Sequence, residues 1–461
     1  LKIINPATEE ILQEPHEDTE ATIRAKVDAA RRAQPAWQRV PLTQRLEAIR
    51  RFGDALQAEK ERLAGILTSE MGKPITQSRN ELSAMAERIG FFLTATPQAV
   101  ADEVVQPRRA DGATTQMEER IRYEPLGVVA NISAWNYPYF VGSNVFLPAL
   151  LTGNAVLYKP SEFATLTGLA IAALLHQSGV PVDVFAPIVG AGPVGAALLA
   201  QPIDGVFFTG SYTTGRKVAE AAAPRLLHVQ LELGGKDPVY VCDDVAVDAA
   251  AAAVAEGVFY NAGQSCCAIE RVYVHERIAD AFTNALATVA RKLTVGDPRS
   301  EQTYIGPLAR AAQLDVLAAQ VEEALHLGGR LLCGGQRRAG RGFYFEPTVI
   351  ADADHRMRLM REESFGPVIG VATVANDEAA LALMNDTEYG LTAGVYSSDR
   401  ARAERILSQV DAGTVYWNCC DRVSPRLPWT GRKKSGTGST LSIAGIRSFV
   451  QPKAWHLAPP P

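Results

Sequence analysis

Three residue types in this chain are placed to act together as nucleophile, base and oxyanion donor. The stretch Phe259-Tyr260-Asn261-Ala262-Gly263-Gln264-Ser265-Cys266-Cys267-Ala268 sets two thiols in a loop between segments that read as buried. A thiol of ordinary pKa, about 8.5, is only a few per cent thiolate at pH 7 and needs an activating neighbour. Glu232 lies between two leucines in Leu231-Glu232-Leu233-Gly234-Gly235-Lys236-Asp237-Pro238. A carboxylate in apolar surroundings tends toward a raised pKa, which suits a general base; a strand-end acid turned to water reads the same way. Asn136, in Ser133-Ala134-Trp135-Asn136-Tyr137-Pro138, is either an amide donor for a developing oxyanion or part of a rigid turn before proline.

A second set of residues suits a ligand with ribose and phosphate groups. Lys159 and Glu162 in Lys159-Pro160-Ser161-Glu162 can clamp ribose hydroxyls, or form a solvated charge pair. Gly190-Ala191-Gly192-Pro193-Val194-Gly195 is a literal G-x-G-x-x-G behind a strand, but the acid expected about 20 residues later at a strand end is missing. Phe208-Thr209-Gly210-Ser211-Tyr212-Thr213-Thr214-Gly215 is the better phosphate candidate. Its small residues open a helix whose N–H groups and Ser211 hydroxyl can meet an anion, and Gly215 lets that helix approach the sheet closely.

These residues need a scaffold, and the chain is long enough for two or three domains at 461 residues. The composition, 47% hydrophobic and 21% charged, is that of a globular protein, and a net charge of −5 argues against nucleic acid or an anionic membrane as partner. Six cysteines without C-x-x-C spacing or a histidine cluster predict free thiols in a reducing cytoplasm and no metal site. No apolar run reaches the ~18 residues of a membrane span. The opening Leu1-Lys2-Ile3-Ile4 is neither a signal peptide nor an initiator start, so a trimmed N-terminus is expected.

Helical periodicity predicts a helix over Thr19–Ala33 and one longer helix carrying Leu46, Ile49, Leu56, Leu63, Ile66 and Leu67, stopped by Gly72 and Pro74. Residues 106–124, with Arg108-Arg109 and Asp111-Gly112, read as an excursion with a hairpin turn. From Gly127 onward, β-rich runs at Val128–Ile132, Ala155–Tyr158, Val184–Val189 and Val206–Thr209 alternate with helical stretches. That alternation predicts an α/β fold with a doubly wound, mostly parallel sheet and functional residues at strand carboxyl ends.

Taken together, these stretches resemble the aldehyde dehydrogenase superfamily over nearly the whole chain. The motifs quoted around Asn136, Lys159, Ser211, Glu232 and Cys266 stand in the family's order, followed by Glu362-Glu363-Ser364-Phe365-Gly366-Pro367 and Lys434-Ser435-Gly436-Thr437-Gly438. The resemblance implies Cys266, not Cys267, as nucleophile, Glu232 as general base, and Asn136 with the Cys266 backbone N–H as oxyanion hole. It implies cofactor contacts from Trp135, Lys159, Glu162, Gly210, Ser211, Gly215, Leu233, Glu363 and Phe365, and it sets the G-x-G-x-x-G aside. NAD is implied as cofactor, with NADP possible, because Glu162 would repel a 2′-phosphate. The implied reaction oxidises a small-molecule aldehyde through a thiohemiacetal and a thioester that water hydrolyses. The implied fold has two doubly wound α/β domains, a Rossmann-like cofactor domain (1–105 and 125–232, with a return segment about 435–449) and a catalytic domain (233–434). An oligomerisation arm (106–124 and 450–461), its strand Val450–Leu457 pairing in a neighbouring subunit, implies a homodimer or homotetramer.

The chain departs from the family pattern in places. Ala134 stands where a proline often precedes Trp-Asn, Pro428-Trp429-Thr430-Gly431 where Pro-Phe-Gly-Gly is usual, and Ser439-Thr440 where a glutamate is common. These are expected to affect loops and leave the chemistry untouched. Tyr137, Val141, Asn144, Ser265, Cys267 and Arg422 fall at the implied aldehyde pocket; Asn144 makes its wall more polar, and Arg422 or Arg426 can meet a carboxylated aldehyde or remain solvated. A second thiol beside the nucleophile can pair with it reversibly on oxidation. Three alternatives stay open: transfer of the thioester to coenzyme A, a cysteine hydrolase using His228, and a non-catalytic relative.

Overall fold

The computed structural model describes residues 1–106 and 117–458. The Arg108-Arg109 and Asp111-Gly112 turn lies outside the described residues.

The first helix, Glu20–Arg39, starts at a capping box in which Thr19 and Thr22 exchange side-chain-to-backbone hydrogen bonds. Its stripe Ile23, Val27, Ala30 and Trp37 is buried. It runs past the expected end at Ala33, and through Pro35, because Trp37 Nε1 donates to the Leu150 carbonyl at 2.9 Å and fixes the last turn to the core. The single long helix expected before Gly72 is two helices, Leu42–Ala58 and Lys60–Met71, since Glu59 leaves helical geometry at φ −101°, ψ 14°. Both keep their apolar residues inward, so the pattern reads as continuous across the break. Past Pro74 the chain forms another helix, Ile75–Ala99, whose buried stripe Leu82, Met85, Ile89 and Phe92 also carries Glu81 and Arg88 inward.

The six-stranded sheet contains His228–Glu232, Gly205–Thr209, Val128–Ile132, Ala155–Lys159 and Phe185–Pro187, parallel and in that spatial order. Gly436–Thr437 returns from near the chain's end to pair antiparallel with Leu231 and Glu232. Order reverses at Val128–Ile132: the next strands lie to one side of it and the later ones to the other. A crevice opens at such a switch point, and Ser133–Pro138 emerges there.

The seven-stranded sheet runs Arg330–Cys333, Thr348–Ala351, Val368–Val374, Ile269–His275, Asp237–Val241, Thr392–Tyr396 and Thr414–Trp417, parallel except for the first. Here the expected rule inverts. Cys266 precedes the strand Ile269–His275, Phe365 precedes Val368–Val374, and Lys236 precedes Asp237–Val241. This sheet therefore contributes from its amino ends, whereas the other contributes from its carboxyl ends.

A three-stranded antiparallel sheet joins Val450–Leu457, Glu118–Pro125 and Glu103–Gln106. The last strand, expected to pair in a neighbouring subunit, pairs along all of its length with Glu118–Pro125 of its own chain. Among the described residues no helix is long and apolar enough to cross a membrane.

Asn154 ties these parts together from a fully buried position. Its Oδ1 accepts from Gly127 N at 2.9 Å, and its Nδ2 donates to the carbonyls of Ala149 and Phe449, the last residue before the terminal strand. Asn154→Ala strands buried backbone groups at about 1–3 kcal/mol each. The expected outcome is an apparent unfolding temperature lowered by several degrees in a thermal melt; an unchanged midpoint would contradict it.

Candidate active site

The loop before Cys266 is held in an uncommon backbone conformation. Asn261, Ala262 and Gly263 all have positive φ, at 53°, 54° and 70°. A side chain at Gly263 would strike the Gly366 carbonyl, so this turn packs against the Glu362–Pro367 segment. Gln264 fastens the turn from within: Nε2 donates to the Asn261 carbonyl at 3.1 Å and Oε1 accepts from Ala309 N at 2.9 Å. The Gln264 carbonyl accepts from Asn136 Nδ2 at 3.2 Å and Asn261 Nδ2 at 3.1 Å. Asn261 Nδ2 also reaches the Asn136 carbonyl at 3.3 Å. Asn136, after the switch-point strand, is thereby joined to the loop that carries Cys266.

Asn136, Glu232 and Cys266 line one cleft of about 1050 Å³ together with Tyr137, Val141, Asn144, Ser265, Cys267 and Arg422. Glu232 is buried at the end of its strand. Its Oε1 accepts from Gln230 Nε2 at 3.1 Å and from the Thr440 hydroxyl. Burial raises its pKa above the usual carboxylate range, and the Thr440 and Gln230 bonds and the Arg88 charge offset part of the rise. The departure at Ser439-Thr440 therefore reaches beyond a loop: Thr440 holds the Glu232 carboxylate, and its backbone exchanges hydrogen bonds with Trp429, another departure, at 2.8 and 2.9 Å.

The two thiols are not equivalent. Cys267 is buried, donating to Asp421 Oδ1 at 2.9 Å. The Cys266 thiol beside it, burial and the Asp421 charge push the Cys267 thiol well above its ordinary pKa. Cys266 is half-buried and borders the cleft. Ser265 is buried and donates to the same Asp421 oxygen at 3.3 Å. Burial pushes Asp421 up to about 6. Tyr137 stacks on Phe140 at 6.0 Å, with Lys73 Nζ 3.7 Å from its ring centroid; Lys73 is a buried ion-pair partner of Glu81. Arg422 is exposed, and Arg426 pairs with Glu87 at 2.7 Å.

The second set of predicted residues lies at the sheet ends bordering the same region. Trp135 meets the Phe365 ring edge-on at 5.4 Å and Phe163 at 6.3 Å. Phe365 has φ 48°, held by its N–H donating to Glu270 Oε1 at 2.9 Å; Ser364 N donates to Glu270 Oε2 at 2.8 Å. Lys236 pairs with Glu270 in the interior, so the lysine of one motif clamps the loop of another. Glu363 accepts from Gly235 N at 3.1 Å, and burial, with Glu270 nearby, pushes it up to about 8. Lys159 is buried, its Nζ on the Pro160 carbonyl at 3.2 Å, and Glu162 accepts from Ser161 at 3.2 Å. Ser211 caps the Tyr212–Ala222 helix, and a side chain at Gly215 would strike Leu233, so helix and sheet meet at the closest possible approach. The G-x-G-x-x-G turn has its Val189 and Ala191 N–H groups donated to Asp18 and Glu17 of the same chain.

Arg88 and Asp421 line the cleft and Thr440 bonds to Glu232, contacts that the sequence did not reveal. Arg88 had a readable signal, a cation on the apolar stripe of a helix, but that helix itself was not expected.

Comparison with known proteins gives one consistent answer. The sequence profile of the aldehyde dehydrogenase family matches residues 1–455. A betaine aldehyde dehydrogenase of Cereibacter sphaeroides is 39% identical over 459 residues, covering 99% of this chain and 93% of that one. Among solved structures, an NAD-dependent aldehyde dehydrogenase from Sinorhizobium meliloti aligns with a TM-score of 0.94 at 35% identity, covering 100% of this chain and 92% of that one. A betaine aldehyde dehydrogenase from Staphylococcus aureus in complex with NAD+ also aligns at 0.94, with 31% identity and coverage of 99% and 91%.

Thr440 donates to the Glu232 carboxylate and so lowers its pKa. In Thr440→Val that support is gone, the pKa rises further, and the group becomes protonated at a higher pH. The acid limb of the turnover–pH profile is expected to move upward relative to wild type; a limb that stays in place would contradict the coupling.

Proposed function

The chain belongs to the aldehyde dehydrogenase family and is an oxidoreductase acting on aldehydes; within that activity, we propose that Cys266 is the nucleophile, Glu232 the general base and Asn136 the oxyanion donor of a hydrolytic, NAD-dependent reaction. The observation that carries this reading is the bond from Asn136 Nδ2 to the Gln264 carbonyl. It spends one amide hydrogen on fixing Asn136 beside the Cys266 loop and leaves the other for an oxygen in the cleft.

Cys266 gives its proton to Glu232, directly or through water, and sulfur bonds to the aldehyde carbon. The carbonyl electrons move onto oxygen, where Asn136 Nδ2 and the Cys266 N–H hold the charge, a donor contact typically worth about 10²–10³ in rate. A nicotinamide dinucleotide held by Lys159, Glu162, Ser211 and Glu363 would supply the hydride acceptor for that carbon. What remains on Cys266 is a thioester. Glu232 passes the thiol proton on to solvent and, ionised again, draws a proton from water as the hydroxide adds to the acyl carbon; the sulfur bond then breaks, the acid leaves and Cys266 departs as the thiolate. The raised pKa of Glu232 suits both transfers near neutral pH.

The donor set fits such a dinucleotide. Lys159 Nζ, in the interior with only a backbone carbonyl as partner among the described residues, stands with Glu162 for the adenine ribose. The capped helix at Ser211 suits the pyrophosphate. Glu363 suits the second ribose, and Trp135 and Phe365 form an aromatic wall for the nicotinamide end. Glu162 would repel a 2′-phosphate, which favours NAD over NADP. Hydrolysis is favoured over transfer to coenzyme A because Glu232 is present and held in the cleft.

With NAD+ and a panel of aldehydes, wild-type protein is expected to form NADH without coenzyme A and with kcat/KM higher for NAD+ than for NADP+. Cys266→Ala is expected to lose turnover, by several orders of magnitude, and Glu232→Gln to slow it by about 10²–10⁴. Full activity in Cys266→Ala, strict dependence on coenzyme A, or an NADP+ advantage would each overturn the corresponding part.

A further inference from the structure

The cleft around Cys266 contains a charge that the proposed reaction does not use. Arg88 reaches it from the Ile75–Ala99 helix and is only 4% exposed. One guanidinium nitrogen, Nη1, donates to Asn144 Oδ1, and the group lies 4.5 Å from the Phe140 ring centroid. Its Nε is buried and has no hydrogen-bond partner among the described residues. No carboxylate lies within ion-pair distance of it among those residues. Burial lowers its pKa to about 10, yet it remains charged at neutral pH.

Of the carboxylates lining the cleft, all but the exposed Glu256 have partners among the described residues. Glu81 has Lys73 and the Tyr139 and Phe140 N–H groups. Glu232 has Thr440 and Gln230, and Asp421 has Cys267 and Ser265. Glu87 has Arg426. Glu232 and Arg88 attract each other, but Glu232 is the base and its donors are elsewhere. A buried guanidinium with no carboxylate within ion-pair distance among the described residues is costly, and this one borders the cleft that a ligand would enter.

We propose that Arg88, oriented by Asn144, binds a carboxylate at the far end of the aldehyde, so that the substrate is an ω-carboxy aldehyde. This rests on the reading of Cys266 as the nucleophile of the same cleft. A planar guanidinium offers two parallel N–H groups to a carboxylate, a geometry a lysine cannot reproduce. Oxidation of such a substrate yields a dicarboxylate, so a reaction that consumes dicarboxylic acids must follow. A quaternary ammonium aldehyde would meet Arg88 as a like charge, so this chain is expected to differ in substrate from the betaine aldehyde dehydrogenases named above.

The test uses the full chain with NAD+ and three aldehydes: 5-oxopentanoate, pentanal and betaine aldehyde. The expected kcat/KM for 5-oxopentanoate exceeds that for pentanal by roughly 10- to 100-fold, with betaine aldehyde lowest. In Arg88→Met the ratio of 5-oxopentanoate to pentanal falls toward one, chiefly through KM, and Arg88→Lys restores part of it. Pentanal or betaine aldehyde used as well as 5-oxopentanoate by the wild type overturns the proposal, as does an unchanged ratio in Arg88→Met. Calorimetric binding of glutarate separates the two claims without turnover and without a variant. Glutarate that binds wild-type protein and competes with 5-oxopentanoate supports the carboxylate site even if Arg88→Met does not fold. Turnover of aldehydes with no glutarate binding sinks the carboxylate site alone. Glutarate binding without turnover of any aldehyde sinks the Cys266 reading alone.

Discussion

The Gln264 carbonyl accepts from both Asn136 and Asn261, and the rest of the site depends on that shared acceptor. Two sheets of opposite sense meet here, one presenting strand carboxyl ends and the other strand amino ends. A site built across that junction needs a tie whose length does not vary, and buried side-chain-to-backbone hydrogen bonds supply one because leaving either group unpaired costs more than the bond itself contributes. The positive φ angles of Asn261 and Ala262 are the local strain that the tie offsets. Cys266 is thereby positioned by the loop's backbone, with its side chain bordering the cleft.

Charge does the same work on the other side of the junction. The buried pair Lys236 and Glu270 joins the Leu231–Lys236 motif to the Ser364–Phe365 turn, with Glu270 accepting both backbone N–H groups. Removing one partner of such a pair leaves an uncompensated charge, at about 3–5 kcal/mol. Cys267 belongs to a comparable device: it donates to Asp421, so a second thiol next to the first is held protonated as a hydrogen-bond donor. The chemistry of the two adjacent cysteines differs because their environments differ.

Much of this was legible in the sequence, and for a definite reason. Cys266, Glu232, Asn136, Ser211 and Phe365 each sit in a short contiguous stretch whose glycines, prolines and apolar neighbours are required by local backbone geometry. Their order along the chain carries the family resemblance. The strand Val128–Ile132 was readable to the residue because a strand buried on both faces is a near-continuous apolar run, interrupted here by Asn131. The roles of Arg88, Thr440 and Asp421 were not readable because they arise only when remote segments pack. Thr440 meets Glu232 only because Gly436–Thr437 returns to the edge of the six-stranded sheet. The division at Glu59 was hidden for the opposite reason: both helices bury the same stripe, so periodicity passes through the break. The strand-end rule failed for the second sheet because it describes a single open sheet, and here the crevice lies between two.

The central claim is that Cys266, and not its neighbour, carries the acyl group between oxidation and hydrolysis. Rapid acid quench of the working enzyme, followed by peptide mass spectrometry, tests it most directly. The account predicts an acyl adduct on Cys266 that accumulates in Glu232→Gln, where hydrolysis is slowed. An adduct on Cys267, or turnover with no adduct on either thiol in both proteins, would contradict it.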